Sequence, residues 1–371
     1  MKKLITAIGL MSGTSCDGID ASIIKSDGEN ELNLIGDYFL PYEEKTRSKI
    51  RTLKENVGKI LELEIKKNEI ASLEEEITFL HSKAISLTLE KFKISKSRIN
   101  LVGLHGHTIF HSFREKKTKQ IGDGKALSKL TGLNIIYNFR ENDLKNGGQG
   151  APLAPIFHKL LHKKLKSNFP VVFVNIGGIS NLTYLDKNDE MVSFDSGPGN
   201  CLIDKLLQLK FNNKIQYDKN GEIAFKGRVD INILESYLNN SYYDSFPPKS
   251  LDVNDFSLSS VRGITLENSV TTLSELTSRT IVDALNFFSN KPQEIILCGG
   301  GRKNKYIYER IKKISGIKTL NIDEYKIDGD FVESQAFAYL AIRSLLKKPI
   351  SFTNTTNVKK SCTGGDLVKN Y

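Results

Sequence analysis

The sequence predicts an α/β protein with two lobes built on the same plan. Short apolar segments typical of strands alternate with apolar stripes at steps of three and four residues, the spacing of amphipathic helices. A strand, a turn of small residues and a second strand occur near residue 5 and again near residue 171. Such a duplication suggests that each lobe offers a backbone loop to a shared ligand.

The N-terminal half begins with strands. Residues 3–11 and 19–24 predict a hairpin whose loop is small and polar, and residues 32–40 can add a third strand. An apolar stripe then predicts a long helix over 70–87, followed by a strand at 99–104.

The remaining elements continue the alternation. The predicted strands and helices are a strand at 133–137, a charged glycine-rich loop at 138–150, a helix at 153–165, strands at 171–176 and 181–185, a strand ending at Phe194, a helix from Cys201, a long helix over 265–288, a strand at 293–297 and a helix over 334–346.

Composition indicates a soluble, folded protein. The chain has 371 residues, of which 39% are hydrophobic and 26% charged, which suits two or three cores and leaves little room for disorder. Its formal charge of +10 is spread over every segment without a basic stripe. We therefore expect it to favour solubility and anionic small molecules, with no nucleic-acid partner.

Cysteine usage and the N-terminus favour the cytoplasm. The cysteines are widely spaced and include no C-x-x-C pair, which argues against a zinc ribbon or a dense disulfide framework. Lys2 and Lys3 before an apolar run resemble a signal peptide, but Asp17 and Asp20 follow at once and no cleavage-site pattern appears. We expect a strand there, and no membrane partner, because no stretch approaches the ~18 apolar residues of a span.

Three glycine-containing loops follow apolar strands and are candidates for binding phosphate. Glycine lets backbone N–H groups come close to an anion, although one such loop alone is usually only a turn. The P-loop and Rossmann fingerprints are both missing. The loops are Ser12-Gly13-Thr14-Ser15, Gly177-Gly178-Ile179-Ser180 and Gly299-Gly300-Gly301.

Carboxylates lie in or beside these loops. Asp17 and Asp20 follow the first loop, and Asp195 opens the motif Asp-Ser-Gly-Pro-Gly-Asn. An acid at a strand end between glycines can approach Mg²⁺ or act as a base. Asp195 is the best catalytic candidate; the alternative is that it caps the helix near Cys201.

Histidines and a long polar loop offer further ligand contacts. His105, His107 and His111 are separated by even numbers of residues, so in a strand they would lie on one face. This arrangement predicts hydrogen bonding to substrate in preference to the alternative, a zinc site. His158 and His162 are expected to be solvated. In the loop, Arg140, Asp143 and Gln149 combine the fork donor, acceptor and amide that bind polyhydroxylated ligands.

Taken together, these motifs resemble those of the 1,6-anhydro-N-acetylmuramic acid kinases, in the actin/Hsp70/sugar-kinase superfamily. The similarity covers nearly the whole chain, and the motifs occur in the family's order. They begin at Ile8, His105, Gly147, Asn175, Asp195 and Cys298, and the first reads Ile-Gly-Leu-Met-Ser-Gly-Thr-Ser-Cys-Asp-Gly-Ile-Asp.

The resemblance implies a two-lobed actin-like ATPase fold, ribonuclease H-like, with duplicated lobes and a central nucleotide cleft. We place the N-terminal lobe at 1–130, with a C-terminal helix in 335–371 packing back on it. The C-terminal lobe is placed at 131–334 and carries the second phosphate loop, the catalytic acid and the nucleoside loop.

The resemblance also implies site residues. Asp195 would be the catalytic base, ATP and Mg²⁺ the cofactors, and Asp17 or Asp20 a contact to the metal through water. The implied nucleotide contacts are Gly13, Thr14, Ser15, Cys16, Asp17, Gly18, Ile19, Asp20, Asn175, Gly177, Gly178, Gly299, Gly300, Gly301 and Asn304. The implied substrate contacts are His105, Arg140, Asp143, Gln149 and Glu333.

In this family, water opens the 1,6-anhydro bridge while the freed O6 takes the γ-phosphate of ATP, a step in recycling cell-wall sugar; a homodimer is also implied. A levoglucosan-type kinase and a non-catalytic nucleotide-binding protein are the alternatives. The departures from the family pattern are Cys16 for Leu, His107 for Gln, Asn138 for Asp, Ser196 for Thr and Val253 for Arg.

Overall fold

The computed structural model describes residues 3–13 and 15–370. Their contacts divide the chain into two compact units. The first comprises Met1–Lys164 with Phe331–Tyr371, and the second comprises Leu165–Asp330. Within the described residues, no helix is both long and apolar enough to cross a membrane.

Strands and helices alternate along both units. The strands are β1 (Ile5–Ser12), β2 (Gly18–Ser26), β3 (Leu32–Pro41), β4 (Leu101–Ser112), β5 (Lys117–Ile121), β6 (Ile135–Tyr137), β7 (Val171–Ile176), β8 (Ile179–Leu185), β9 (Met191–Pro198), β10 (Glu294–Cys298), β11 (Lys318–Asn321) and β12 (Asp366–Val368). The helices are α1 (Glu44–Glu55), α2 (Ile60–Ile65), α3 (Lys67–Lys91), α4 (Gly124–Thr131), α5 (Glu141–Lys145), α6 (Pro155–Leu165), α7 (Cys201–Lys210), α8 (Ile231–Leu238), α9 (Ser241–Asp244), α10 (Leu266–Asp283), α11 (Lys305–Ser315), α12 (Val332–Leu345) and α13 (Thr353–Thr356).

The two sheets repeat one strand order. In the first unit the central order is β3-β2-β1-β4-β6, and in the second it is β9-β8-β7-β10-β11. In both, the first three strands along the chain pair antiparallel and the last two join parallel to the first. This repetition confirms the predicted α/β class and the duplicated, ribonuclease H-like fold; the central cleft stays a prediction.

The division at 164/165 and 330/331 differs from the predicted boundaries. Strand β6 pairs parallel with β4 of the first unit, and the Phe157 ring on α6 lies 5.8 Å from that of Tyr339 on α12. Residues 131–164 therefore belong with the first sheet by their contacts, because a short strand and an apolar helix face can be buried there. The C-terminal helix does pack on that sheet, against β1, β2 and β4.

Two histidines expected to be solvated are buried instead. Only 1% of the surface of His158 and 8% of that of His162 is exposed. Burial lowers the pKa of His158 to about 3, so its imidazole is neutral at physiological pH. The prediction was wrong because the side of α6 that carries both histidines is buried, and the exposed positions of the helix are taken by Lys163 and Lys164.

Helix α12 lies directly against the backbone of the first sheet at two glycines. A Cβ at Gly9 would lie 1.9 Å from the Ser334 carbonyl oxygen and 2.5 Å from the Ala338 nitrogen. A Cβ at Gly103 would lie 2.3 Å from the Phe337 carbonyl oxygen. Because these obstacles are backbone, they cannot turn aside as a flexible side chain would.

We therefore expect Gly9→Ala to lower the free energy of unfolding by about 3 kcal/mol, since the helix must move away from the sheet. Chemical denaturation followed by circular dichroism measures this change. Gly58→Ala in the same unit is the control, because its Cβ would meet only Glu62 Oε2 at 3.7 Å. Equal stability of the two variants would show that α12 is not seated on the sheet as described.

Candidate active site

The first predicted phosphate loop joins β1 to β2. The Cys16 N–H donates to the Gly13 carbonyl oxygen (3.1 Å), and the Ser15 hydroxyl donates to Asp17 Oδ1 (2.6 Å). Ser15 and Asp17 are exposed, whereas a Cβ at Gly18 would lie 2.4 Å from the Leu40 carbonyl oxygen. The loop thus exposes polar side chains to solvent, while Gly18 at its end is tightly packed. Thr14, a predicted contact, lies outside the described residues.

A buried hydrogen-bond network lies next to this loop, on the side away from solvent. The Tyr42 hydroxyl donates to Ser12 Oγ (3.0 Å), and Ser12 Oγ lies 3.0 Å from His107 Nδ1. The other ring nitrogen of His107, Nε2, lies 3.8 Å from Cys16 Sγ. Cys16 and His107, two departures from the family pattern, therefore contact each other. Burial lowers the pKa of His107 to about 3, so this support carries no charge.

The structure brings together most of the predicted substrate contacts within the first unit. Arg140 donates from Nε to His105 Nε2 (3.1 Å) and from Nη1 to the Gly150 carbonyl oxygen (2.8 Å). His105 then carries its proton on Nδ1, which donates to the Gly106 carbonyl oxygen (3.0 Å). Burial, assisted by the charge of Arg140, holds the pKa of His105 well below its usual range. Burial raises the pKa of Glu333, and Arg140 offsets part of that shift.

His111 and Gln149 extend this cluster. His111 Nε2 lies 2.9 Å from the Gln149 carbonyl oxygen, and its Nδ1 lies 3.1 Å from Thr118 Oγ1. The Gln149 N–H donates to the Thr356 carbonyl oxygen (2.6 Å). The predicted loop is thus held at its glycine-rich end. Its role in binding sugar stays a prediction.

The zinc alternative for the histidines finds no support in this geometry. Gly106 has a φ of +77°, and the pairing of β1 with β4 shifts register beside it, so His105 and His107 do not alternate as in a regular strand. Among the described residues, no group of three or more His, Cys, Asp or Glu side chains could hold a metal ion.

The second and third loops contact each other in the second unit. The parallel pairing of β7 with β10 places Cys298 opposite Asn175, and a Cβ at Gly299 would lie 2.3 Å from Asn175 Oδ1. A Cβ at Gly301 would lie 2.2 Å from the Ile176 side chain, whereas Gly300 faces open space. Glycine at Gly299, where φ is +76°, is therefore required by both its conformation and its neighbours.

The N-terminus of α7 holds the second loop. The amides of Asn200 (2.8 Å) and Cys201 (3.1 Å) donate to the carbonyl oxygens of Gly177 and Gly178. Asn304, a predicted nucleoside contact, caps α11 by accepting the Ile307 N–H at Oδ1 (3.2 Å). The structure thus shows how the loops are fixed, and their binding of nucleotide stays a prediction.

Arg302 anchors the third loop and was missed by the sequence analysis. Its side chain is 1% exposed and contacts three carboxylates, those of Asp323, Asp328 and Asp330. It also donates to the Gly299 carbonyl oxygen (3.0 Å). Burial alone would raise the pKa of Asp323, but hydrogen bonds from Arg302 and Gly329 lower it overall. The position of Arg302 directly after three glycines was the available signal.

Asp195 lies in β9, at the edge of the second sheet. The helix-cap alternative was wrong, because α7 begins at Cys201 and its N-terminal flanking residue is Asn200. Instead, Asp195 Oδ2 accepts the Leu251 N–H (2.9 Å), and the carboxylate remains partly exposed. A carboxylate that is ordered yet reachable can act as a base, and this role stays a prediction.

Asp143 is a buried carboxylate of the first unit, with only 1% of its surface exposed. Burial raises its pKa to about 6, and Thr356, Gly150 and Arg140 offset part of the shift. A raised pKa means that the folded state binds a proton more tightly than the unfolded state does. The associated stability is present below about pH 4 and is lost as the pH rises through 6.

We expect Asp143→Asn to raise the free energy of unfolding by about 2 kcal/mol at pH 7.5, because the amide removes a buried charge. The two proteins should differ little at pH 4, where both side chains are neutral. Thermal unfolding between pH 4 and pH 8 measures this. If the variant is less stable than the parent at pH 7.5, burial does not destabilise the charged form of Asp143 as described.

Comparison with known proteins shows the family of the chain. The sequence model of the family described as anhydro-N-acetylmuramic acid kinase matches residues 5–370. A protein of that name from Pelagibacter ubique is 47% identical, with 100% of both chains covered, and one from Rhizobium etli is 37% identical, with 98% of both covered.

Solved structures are more distant. Component A of (R)-2-hydroxyglutaryl-CoA dehydratase from Acidaminococcus fermentans has a TM-score of 0.49 at 10% identity and covers 92% of this chain and 100% of its own. A ROK glucokinase from Streptomyces griseus has a TM-score of 0.44 at 10% identity, with 90% and 98% covered. It is the full-length match of motifs and sequence that shows that the chain belongs to the anhydro-N-acetylmuramic acid kinase family.

Proposed function

We propose that this protein is an ATP-dependent kinase that opens the 1,6-anhydro ring of 1,6-anhydro-N-acetylmuramic acid and phosphorylates O6. The products are N-acetylmuramic acid 6-phosphate and ADP, in the recycling of cell-wall peptidoglycan. Family membership supports this activity. The observation that carries it is Asp195, an ordered and partly exposed carboxylate on an edge strand whose unit also holds two glycine loops.

Asp195 serves as the general base. It takes a proton from a water molecule whose oxygen forms a bond to the anomeric carbon of the sugar. The bond from that carbon to the bridging oxygen breaks, and the freed O6 forms a bond to the γ-phosphorus while ADP leaves. A carboxylate suits this step because it accepts a proton in the transition state and can return it.

The glycine loops suit a nucleotide. Gly300 has no other atom within 4 Å of a built Cβ, and Gly177 has only the Ile179 carbonyl oxygen, at 3.5 Å. A phosphate can therefore approach the backbone at these positions. We assign the second and third loops to ATP on this basis, together with the implied contacts Asn175 and Asn304, and the family resemblance implies the first loop.

Mg²⁺ would accompany ATP and neutralise charge on its phosphates. The described residues offer no ready-made cage of three acidic or histidine ligands, which fits an ion that takes much of its coordination from phosphate and water. Asp17, exposed and carrying a hydrogen bond from Ser15, and Asp20 are the candidates for contact through water.

The cluster around Arg140 would hold the sugar. A guanidinium, a neutral imidazole and two acids with raised pKa provide donors and acceptors without a large net charge. We further propose that the protein works in the cytoplasm as a homodimer. The four cysteines are all free thiols, in keeping with a reducing compartment.

The direct test is turnover of purified protein with ATP, Mg²⁺ and a panel of anhydrosugars. We expect ADP and sugar 6-phosphate to form one for one with the anhydromuramic acid. Preferred turnover of levoglucosan would assign the chain to a plain anhydrohexose, and ADP release that ignores every sugar would indicate a non-catalytic nucleotide-binding protein.

Asp195→Asn should lower kcat by roughly 10²- to 10⁴-fold and leave ATP affinity nearly unchanged, because the amide keeps the shape but cannot take a proton. Steady-state kinetics and calorimetric titration with ATP measure the two quantities. Asp189→Asn is the matched control, an exposed turn residue whose φ of +67° asparagine tolerates. Turnover of Asp195→Asn within about tenfold of the parent would place the base elsewhere.

A further inference from the structure

Lys249 is a lysine held almost entirely inside the second unit. Only 8% of its surface is exposed. Its Nζ donates to the carbonyl oxygens of Tyr242 (2.8 Å) and Tyr243 (3.2 Å), and it lies 4.3 Å from the ring centroid of Phe287 and 4.6 Å from that of Tyr242. Burying an ammonium group is costly unless such partners compensate it. The carbonyl oxygens and aromatic rings around Lys249 are therefore the partners that compensate for burial of its charge.

The segment around Lys249 holds the main chain of Asp195. The Asp195 N–H donates to the Lys249 carbonyl oxygen (3.0 Å), and the Tyr242 hydroxyl donates to the Asp195 carbonyl oxygen (2.6 Å). The Leu251 N–H holds the carboxylate itself. Because β9 is an edge strand, these contacts replace the hydrogen bonds that a further strand would supply.

The same region interrupts the regular sheet. In the pairing of β8 with β9, Asn181 lies opposite Asp195 but Ser180 lies opposite Gly197, so the register shifts between them. A bulge of this kind redirects a side chain and weakens local pairing. Asp195 consequently depends more on the 242–251 segment than a residue in a regular ladder would.

We infer that Lys249 is a positioning residue for Asp195, acting by fixing the short helix α9 at Tyr242 and Tyr243 so that the Tyr242 hydroxyl, the Lys249 carbonyl and the Leu251 amide stay in place. This inference rests on the proposed role of Asp195 as the base. The ammonium joins two successive carbonyl oxygens that no neutral apolar side chain could satisfy. Without the ammonium, the carbonyl oxygens of Tyr242 and Tyr243 would lose their donor, and the orientation of the Asp195 carboxylate would no longer be fixed.

The charge of Lys249 is sensitive to mildly alkaline pH. Burial lowers its pKa to about 8, although the nearby charge of Asp244 opposes the shift. On β9 the ring of Phe194 has its centroid 5.7 Å from the ammonium nitrogen. The Tyr242 ring also lies against the ammonium, and burial raises the pKa values of Tyr242 and Tyr243 above their ordinary 10. The 3-10 turn that carries Phe287 presents that ring to the ammonium. Lys249 therefore loses its charge as the pH rises through about 8.

The test compares Lys249→Met, Lys249→Arg, Asp195→Asn and the double variant Lys249→Met/Asp195→Asn. We expect Lys249→Met to lower kcat by roughly 30- to 100-fold while KM for ATP changes less than about threefold. Lys249→Arg, which keeps a charged donor, should retain most of the activity. Calorimetric titration with ATP and thermal unfolding confirm that each variant is folded.

Two readouts separate positioning from mere structural support. In the Asp195→Asn background, Lys249→Met should change kcat by less than about twofold, because the group it positions is already disabled. The kcat of the parent should fall as the pH rises through about 8, and Lys249→Arg should abolish that decline because guanidinium stays charged.

Lys249→Met with near-parental kcat, or with the same fold loss in both backgrounds, would overturn the inference. A parent whose kcat is flat from pH 7 to pH 9 would also overturn it, and this profile needs no variant to fold. If instead Asp195→Asn left kcat unchanged, the proposed base would fail first, so the two claims can be told apart.

Discussion

The constraint on which the second unit depends is that Asp195 lies on an edge strand. The outer N–H and C=O groups of an edge strand need partners from outside the sheet, and an unsatisfied group costs stability. Here the partners come from the segment 242–251, which bonds both main-chain groups of Asp195 and one carboxylate oxygen. A carboxylate at an edge stays reachable, whereas one on a central strand would be enclosed. The requirement to satisfy the edge thus also gives the candidate base a defined direction.

Close backbone packing brings the second and third loops of the second unit together. The second and third loops are neighbours because β7 and β10 pair in parallel, and Gly299 and Gly301 leave no room for a Cβ. Arg302 then ties the third loop to three carboxylates, an arrangement that stays firm because the guanidinium cannot lose its proton in the physiological range. The first unit repeats the strand order and uses a neutral network, Tyr42–Ser12–His107, below its loop. The two copies therefore share topology while differing in how the loop is supported.

Much of this could be predicted from sequence, because strands, helices and glycine turns leave local patterns. The hairpin of β1 and β2, the helix α3 and the repeated strand–turn–strand unit follow from such patterns, and the family motifs led to the correct family. Tertiary contacts were harder to predict from the sequence. His158 looked solvated because periodicity alone does not show what covers a helix, and Lys249 gave no local sign that its ammonium would be buried among aromatic rings. The grouping of 131–164 with the first unit likewise depends on one parallel strand pair that sequence spacing does not specify.

In the proposed reaction, water opens the sugar ring while the freed oxygen takes the phosphate. Turnover in ¹⁸O-water tests this most directly, because the source of each product oxygen is then visible by mass spectrometry. An ordinary sugar kinase uses an existing hydroxyl as its nucleophile, whereas here the hydroxyl is created by ring opening. We expect label at C1 of the product sugar, none in its phosphate, and one ADP for each sugar phosphate. Label in phosphate would mean that water attacks ATP directly, and it would contradict the proposed reaction.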